Sequence, residues 1–344
     1  MKKLIAATAL ALITTGVASA ESPAVIKAVG TWGSLPNYAS HEGPFWNETI
    51  AEASGGSIIG DIKPQTELGL GGFEIMRLVK NGVFDFAFGL PGYVAAENAV
   101  FEGSDLSSII QDFDTSRAVQ EAYFPIMEKA FAEIYNAKLM MLYPFPSQIL
   151  YCNAEIGGIE DLEGKKIRVY STTLGDFVEA VGGVSVTVPF AEVVPALEKG
   201  VVDCGITGTT SAYNAKWYQV ASHAYTLRVG FGIAFGAMNM DKWNSMSSAQ
   251  QETLTAEIAK LNDALWADNA SQDGTAVSCL TSSDCPTEPG GMTLVEPSAE
   301  DIATRDRLAT EVVLSRWAER CGAECAANWN DTVGKILGLS ASAE

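Results

Sequence analysis

Residues 161–205 read DLEGKKIRVYSTTLGDFVEAVGGVSVTVPFAEVVPALEKGVVDCG. Strand-like apolar runs near 167–170 and 202–206 enclose helix-like segments near 173–181 and 190–199. That alternation is the pattern of α/β architecture. One residue stands apart chemically. Arg168 lies between Ile167 and Val169, in a strand buried on at least one face. A guanidinium there needs an anionic partner, because an unpaired buried charge is very costly. Its planar fork of donors suits a carboxylate in two-point contact. Two partners are open: the carboxylate of a bound ligand, or an internal pair with Asp176 or Glu179 on the next helix.

The same alternation extends outward. Further strands are expected near 24–31, 57–63, 84–88, 138–143, 149–152 and 225–229, with helices over 42–53 and 116–135. A long helix is expected after Ser248, which would form a capping box with Gln251. Leu254, Ile258, Leu261 and Leu265 give that helix one apolar stripe. Residues 278–297 hold two cysteines and three prolines and read as a stapled loop. A second helix should run from about 298 past Trp317.

Composition narrows the function. Forty-two acidic residues against 22 basic ones leave a net charge of -20 over 344 residues. Such a surface repels phosphate backbones and anionic lipid, which argues against nucleic acid as a partner. The only histidines are His41 and His223, too few for a multi-histidine metal site. The G-L-G-G of residues 69–72 is not a dinucleotide fingerprint, and no P-loop, H-E-x-x-H or G-x-S-x-G occurs. No cofactor, metal or catalytic residue is expected.

The first twenty residues read as an export signal. Lys2 and Lys3 precede an apolar run over 4–17, and Ala18-Ser19-Ala20 fits cleavage after Ala20. No cysteine near that cut offers a lipid attachment point, and no later segment is long and apolar enough to anchor in a membrane. A periplasmic location follows. In an oxidising compartment the pairs Cys279/Cys285 and Cys321/Cys325 read as disulfides rather than zinc ligands. Cross-pairing of the two clusters stays open, as does the state of Cys152 and Cys204.

Three blocks in order, covering essentially the whole mature chain, resemble the DctP-type substrate-binding proteins of TRAP (tripartite ATP-independent periplasmic) transporters. They are TELG (66–69) followed by DFAF (85–88); the DLEGKKIRV…VPFAEVVPALEKG…VVDCG run of 161–205; and NAKWYQV (214–220) followed by MDKWNSMS (240–247). The resemblance implies a two-lobe periplasmic-binding-protein fold with hinge strands and a long bracing C-terminal helix. One lobe would hold 24–142 with 233–270, and the other 143–232 with 271–340.

It further implies a receptor that captures a small organic acid by cleft closure and delivers it to membrane permease subunits. Arg168 would hold the ligand carboxylate, and Phe190 would pack on the ligand. Glu67 would line the pocket, and Trp32 would stand at the cleft mouth. Trp217 and Tyr218 would shape the second lobe near the hinge.

The departures are as informative. PFPSQ (144–148) stands where many relatives carry a second arginine, and VDCGIT puts Thr207 where they carry a polar amide. Gln148 and Ser171 complete the candidate ligand set. The resemblance with these losses favours a single carboxylate with a hydroxylated or aromatic remainder over a dicarboxylate or a sialic acid. The competing classes are an exported enzyme on small acids, with Glu67 or Asp176 as base, and a periplasmic acid sensor.

Overall fold

A computed structural model describes residues 22–282 and 284–343; the expected export signal lies outside the described residues. Two mixed sheets carry two lobes. The first runs β2 (Ile58–Pro64), β1 (Ala24–Gly30), β3 (Phe86–Gly89), β10 (Ile233–Asn239), β4 (Ala137–Pro144). Here β1 is parallel to β2 and β3, and β10 is antiparallel to β3 and β4. The second runs β11 (Thr293–Val295), β9 (His223–Tyr225), β5 (Gln148–Cys152), β8 (Cys204–Gly208), β6 (Lys166–Val169), β7 (Val184–Thr187). β10, with the sequence IAFGAMN, is buried along its whole length. A strand covered on both faces reads as a continuous apolar run, without the alternation that flags a half-exposed strand.

The chain passes between lobes from β4 into β5 and from β9 into β10. The two crossing segments bond to each other: Phe145 N donates to Gly232 O (3.0 Å), Gln148 N to Gly230 O (2.8 Å) and Val229 N to Gln148 O (2.9 Å). The strand expected over 225–229 therefore ends at Tyr225, because the next residues form the crossing to β10. Asp273 ties this hinge to the long helix. Its carboxylate accepts Ser147 N (2.9 Å), Ser147 Oγ (2.6 Å) and Thr209 Oγ1 (3.0 Å), and Arg228 lies 3.3 Å away.

That helix, Ser248–Thr281, has 34 residues and so spans about 51 Å, from the first lobe to the second. Its cap is one residue earlier than expected. Ser247 Oγ accepts Gln250 N, and Gln250 Oε1 accepts Ser247 N. The run S-S-A-Q-Q offers the same spacing in two frames. The earlier frame wins because it buries Gln250, whose amide then donates to Ser57 O at 2.8 Å.

Beyond it, helices Ser315–Cys321 and Ala323–Trp329 pack on both lobes. Trp317 Nε1 donates to Ala99 O (2.8 Å) and Trp329 Nε1 to Gly103 O (2.6 Å) in the first lobe. Arg320 forks onto Asp176 in the second.

All six cysteines are paired: Cys279–Cys285, Cys321–Cys325 and Cys152–Cys204. The last pair sits directly opposite across the antiparallel strands β5 and β8. Close cross-strand positions of this kind can be bridged without moving the backbone. Its 52-residue separation exceeds the 6 and 4 of the other two. Loop-closure entropy then assigns it about 4 kcal/mol, against about 2 for each short bridge. Cys152→Ala/Cys204→Ala should therefore lose roughly twice the unfolding free energy that Cys321→Ala/Cys325→Ala loses, in urea titrations without reductant. Equal losses would contradict the entropic account.

Candidate functional site

A cleft with about 290 Å³ of free space, part of it open to solvent, lies between the lobes. It opens where several strands deliver their carboxyl ends: Trp32 follows β1, Leu90 follows β3, Phe145 follows β4, Tyr170 follows β6, and Thr207 lies near the end of β8. Crevices beyond strand carboxyl ends are the usual ligand positions of open α/β sheets. The walls are aromatic. Phe190 meets Trp32 edge-on at 5.0 Å between ring centres and stacks on Trp217 at 5.9 Å. The contact between Phe190 and Trp32 joins the two lobes.

Among the described residues Arg168 is the one charged residue lining this cavity. Its Nε donates to Val188 O and its Nη1 to Ile206 O, both at 2.8 Å, and its guanidinium lies 5.3 Å from the centre of the Tyr170 ring. Only 1% of the residue is exposed. Burial pulls its pKa down, with Tyr93 and Tyr170 opposing. Among the described residues no carboxylate pairs with it.

The internal alternative is taken up elsewhere. Asp176 pairs with Arg320 and Arg316, and Glu179 with Arg316. A guanidinium has five N–H donors; two are used on carbonyls, the Tyr93 hydroxyl faces it as well, and the residue borders the cavity.

Around this cation the polar groups are few. The hydroxyls of Thr207 and Ser211 have no hydrogen-bond partner among the described residues, and both residues line the cavity. Gln148 also lines it, but its amide is largely engaged. Nε2 donates to Pro146 O (2.9 Å) and Phe231 O (3.2 Å), and Oε1 accepts Tyr170 OH (3.3 Å). Gly232 has φ +64, and a Cβ there would lie 2.8 Å from Tyr170 OH and 3.0 Å from Gln148 Nε2. A side chain would break this corner.

Of the residues singled out from sequence, Arg168, Phe190, Thr207, Trp32 and Gln148 meet at the cavity. Glu67 does not. It is exposed on the turn after β2, an edge strand of the first sheet, and does not line the cavity. Ser171 is diverted too: its Oγ caps helix Thr172–Ala180 by accepting Leu174 N at 3.3 Å. Trp217 is wholly buried behind Phe190.

Sequence reading missed Tyr170, Phe145, Leu35, Leu90, Ser211 and Tyr93. Tyr170 carried a signal, since it lies two residues beyond Arg168 and strand alternation puts both on one face. Tyr93 carried none. It sits in the four-residue helix Pro91–Val94 and reaches the cavity only through tertiary packing.

Among the described residues no Asp, Glu, His or Cys lines the cavity, so neither Glu67 nor Asp176 is placed to act there as a base. Among the described residues no group of three or more His, Cys, Asp or Glu could hold a metal, and no helix is long and apolar enough to cross a membrane.

The chain is similar to several known proteins. The ectoine-binding periplasmic protein TeaA of Halomonas elongata is 24% identical over 188 residues, which is 52% of this chain and 54% of that one. The match thus spans about half the length of that relative. The C4-dicarboxylate-binding periplasmic protein DctP of Rhodobacter capsulatus is 25% identical over 93% of this chain and 94% of its own. Among solved structures, the extracytoplasmic solute receptor DctP6 of Bordetella pertussis, which binds pyroglutamic acid, superposes with a TM-score of 0.82. It covers 90% of this chain and 99% of its own at 21% identity. The sequence profile of bacterial extracellular solute-binding protein family 7 (DctP) matches residues 38–319. The chain belongs to that family of bacterial extracellular solute-binding proteins.

Proposed function

We propose that this protein captures a small cyclic monocarboxylate between its lobes and presents it, closed, to the membrane subunits of a TRAP transporter. Arg168 carries the reading: it is the cavity's single charge, buried, positive and without a carboxylate partner. An anion that fills the space supplies that partner. One carboxylate suffices, because no second cation lines the walls. The rings of Trp32, Phe145, Tyr170 and Phe190 suit a flat or cyclic body, and the Thr207 and Ser211 hydroxyls suit one or two polar atoms on it. Pyroglutamate and ectoine, named for two of the relatives, are both cyclic carboxylic acids; a C4-dicarboxylate leaves its second charge against aromatic walls. Closure follows from differential affinity, since the ligand touches both lobes only when they are shut. Residues 1–20 serve as the export signal, cut after Ala20.

Thermal-shift titration tests this. Pyroglutamate, ectoine, orotate and benzoate are compared with succinate and with glucose. Binding to the folded state alone adds RT ln(1 + [L]/Kd), about 2.7 kcal/mol at a hundredfold excess over Kd. Cyclic monocarboxylates are expected to shift the midpoint more than succinate, and glucose not at all. A response to succinate that exceeds every cyclic acid, or to glucose alone, overturns the reading.

A further inference from the structure

Tyr93 belongs to the first lobe, yet its hydroxyl meets the second. Phe190 N donates to the Tyr93 oxygen at 3.2 Å, and the Arg168 guanidinium lies beside the same hydroxyl. The ring is clamped. It stacks on Phe73 at 4.2 Å and 13°, and meets Trp32 and Tyr170 at 6.1 Å each. Gly72, at φ +106, has room for no side chain there, because a Cβ would come within 2.5 Å of the Tyr93 ring. The hydroxyl is thus fixed at the junction of both lobes and the cavity.

A phenol has one proton to give and two lone pairs to receive with. Here one N–H already points at the oxygen and a cation faces it. Among the described residues no acceptor takes the Tyr93 proton, and the residue lines the cavity. The proton is therefore what this hydroxyl has left to offer, next to the cation that awaits an anion. We propose that the Tyr93 hydroxyl donates to the ligand's carboxylate from the first lobe while Arg168 holds it from the second, so that one anion fastens both lobes. Tyr93 then takes the place that a second arginine would have filled from the 144–148 stretch, as a neutral donor matched to a single carboxylate. Closing the lobes assembles the pair, which couples capture to closure.

This rests on the carboxylate reading above, and the experiment separates the two. Tyr93→Phe keeps the ring and its stacking and removes only the hydroxyl. Calorimetric titrations with pyroglutamate, orotate and benzoate are run on the parent, Tyr93→Phe and Arg168→Met, each acid beside its primary amide. A hydrogen bond to an ionised acceptor is among the strong ones, so Tyr93→Phe should weaken acid binding ten- to a hundredfold and change amide binding less than threefold. Small-angle scattering with saturating acid should show the parent more compact than Tyr93→Phe at matched occupancy. If acid binding in Tyr93→Phe stays within twofold of the parent while Arg168→Met loses it, the Tyr93 role falls and the carboxylate reading stands. Equal losses for acid and amide would make Tyr93 a mere support for Phe190 and overturn the proposal. A parent that binds none of the acids would bring down both.

Discussion

Arg168→Met is expected to abolish carboxylate binding and to leave a ligand-free protein that is no less stable than the parent. Both halves follow from one fact: the guanidinium is 1% exposed with two carbonyl partners and no counter-ion. With ligand bound, removing one member of a buried, hydrogen-bonded charge pair costs about 3–5 kcal/mol, a loss of hundreds- to thousandsfold in affinity. Without ligand, the same charge has given up its water for neutral acceptors only, two carbonyls and the Tyr93 hydroxyl. Methionine matches the unbranched stem and carries no charge to desolvate. Replacing buried charge by a well-packed apolar side chain is often neutral or stabilising, and a gain of about 1–2 kcal/mol is expected, read as a higher melting temperature. Functional sites commonly hold stability in reserve in this way. A ligand-free melting temperature several degrees below the parent's would show that the carbonyl bonds outweigh the desolvation.

The cavity also shows which parts of a site can be seen in a sequence. Trp32, Arg168 and Thr207 were visible because each sits at or near the end of a strand that runs into the crevice, and strand ends are legible from local pattern. Glu67 obeys the same rule and fails, because β2 is an edge strand and its end opens to solvent. Strand order is a matter of long-range pairing, which local pattern does not encode. Ser171 fails for a different reason. It too follows β6, but the helix that starts there needs an N-cap and claims the hydroxyl. The fate of Asp176 and Glu179 was equally hidden: their partners Arg316 and Arg320 lie about 140 residues on, in a C-terminal helix that packs across both lobes. The fold itself was more legible than the site. Alternation of strand and helix was readable almost throughout, whereas β10 was passed over because a strand buried on both faces loses its alternation.

A second large effect concerns pH, and it runs opposite to ordinary acid unfolding. Three carboxyls among the described residues are pushed upward: Glu42 in the first lobe, and Glu102 and Asp105 where the lobes meet. Burial raises each to about 7, against backbone and side-chain donors that pull the other way. Glu42 accepts Thr31 N, Thr31 Oγ1 and Tyr143 OH. Glu102 accepts Thr173 N across the lobe boundary (2.8 Å), with Arg320 and Asp176 nearby, and Asp105 accepts Ile233 N at the hinge (3.0 Å).

In the unfolded chain these groups ionise near pH 4; in the folded chain they keep their protons to about pH 7. Folding therefore takes up protons between those values, and unfolding free energy falls as pH rises through that window, levelling off above it. Each carboxyl contributes on the order of 3–4 kcal/mol to the fall. Glu97, Asp112 and Asp301 act in the other direction, since their lowered values give stability that is lost only as pH drops below their ordinary range near 4. Between pH 5 and 7 the raised groups dominate, so the ligand-free melting temperature should be several degrees higher at pH 5.5 than at pH 8.

Glu102→Gln isolates one contribution. Its Oε1 bond to Thr173 N can be kept, and Oε2, which has no hydrogen-bond partner among the described residues, can become the amide nitrogen. The variant should gain stability at pH 8, gain little at pH 5.5, and flatten the profile between them. A profile that instead rises toward pH 8 in both proteins would mean that these carboxyls stay ionised in the folded chain, with water or bound cations supplying the solvation that burial removes.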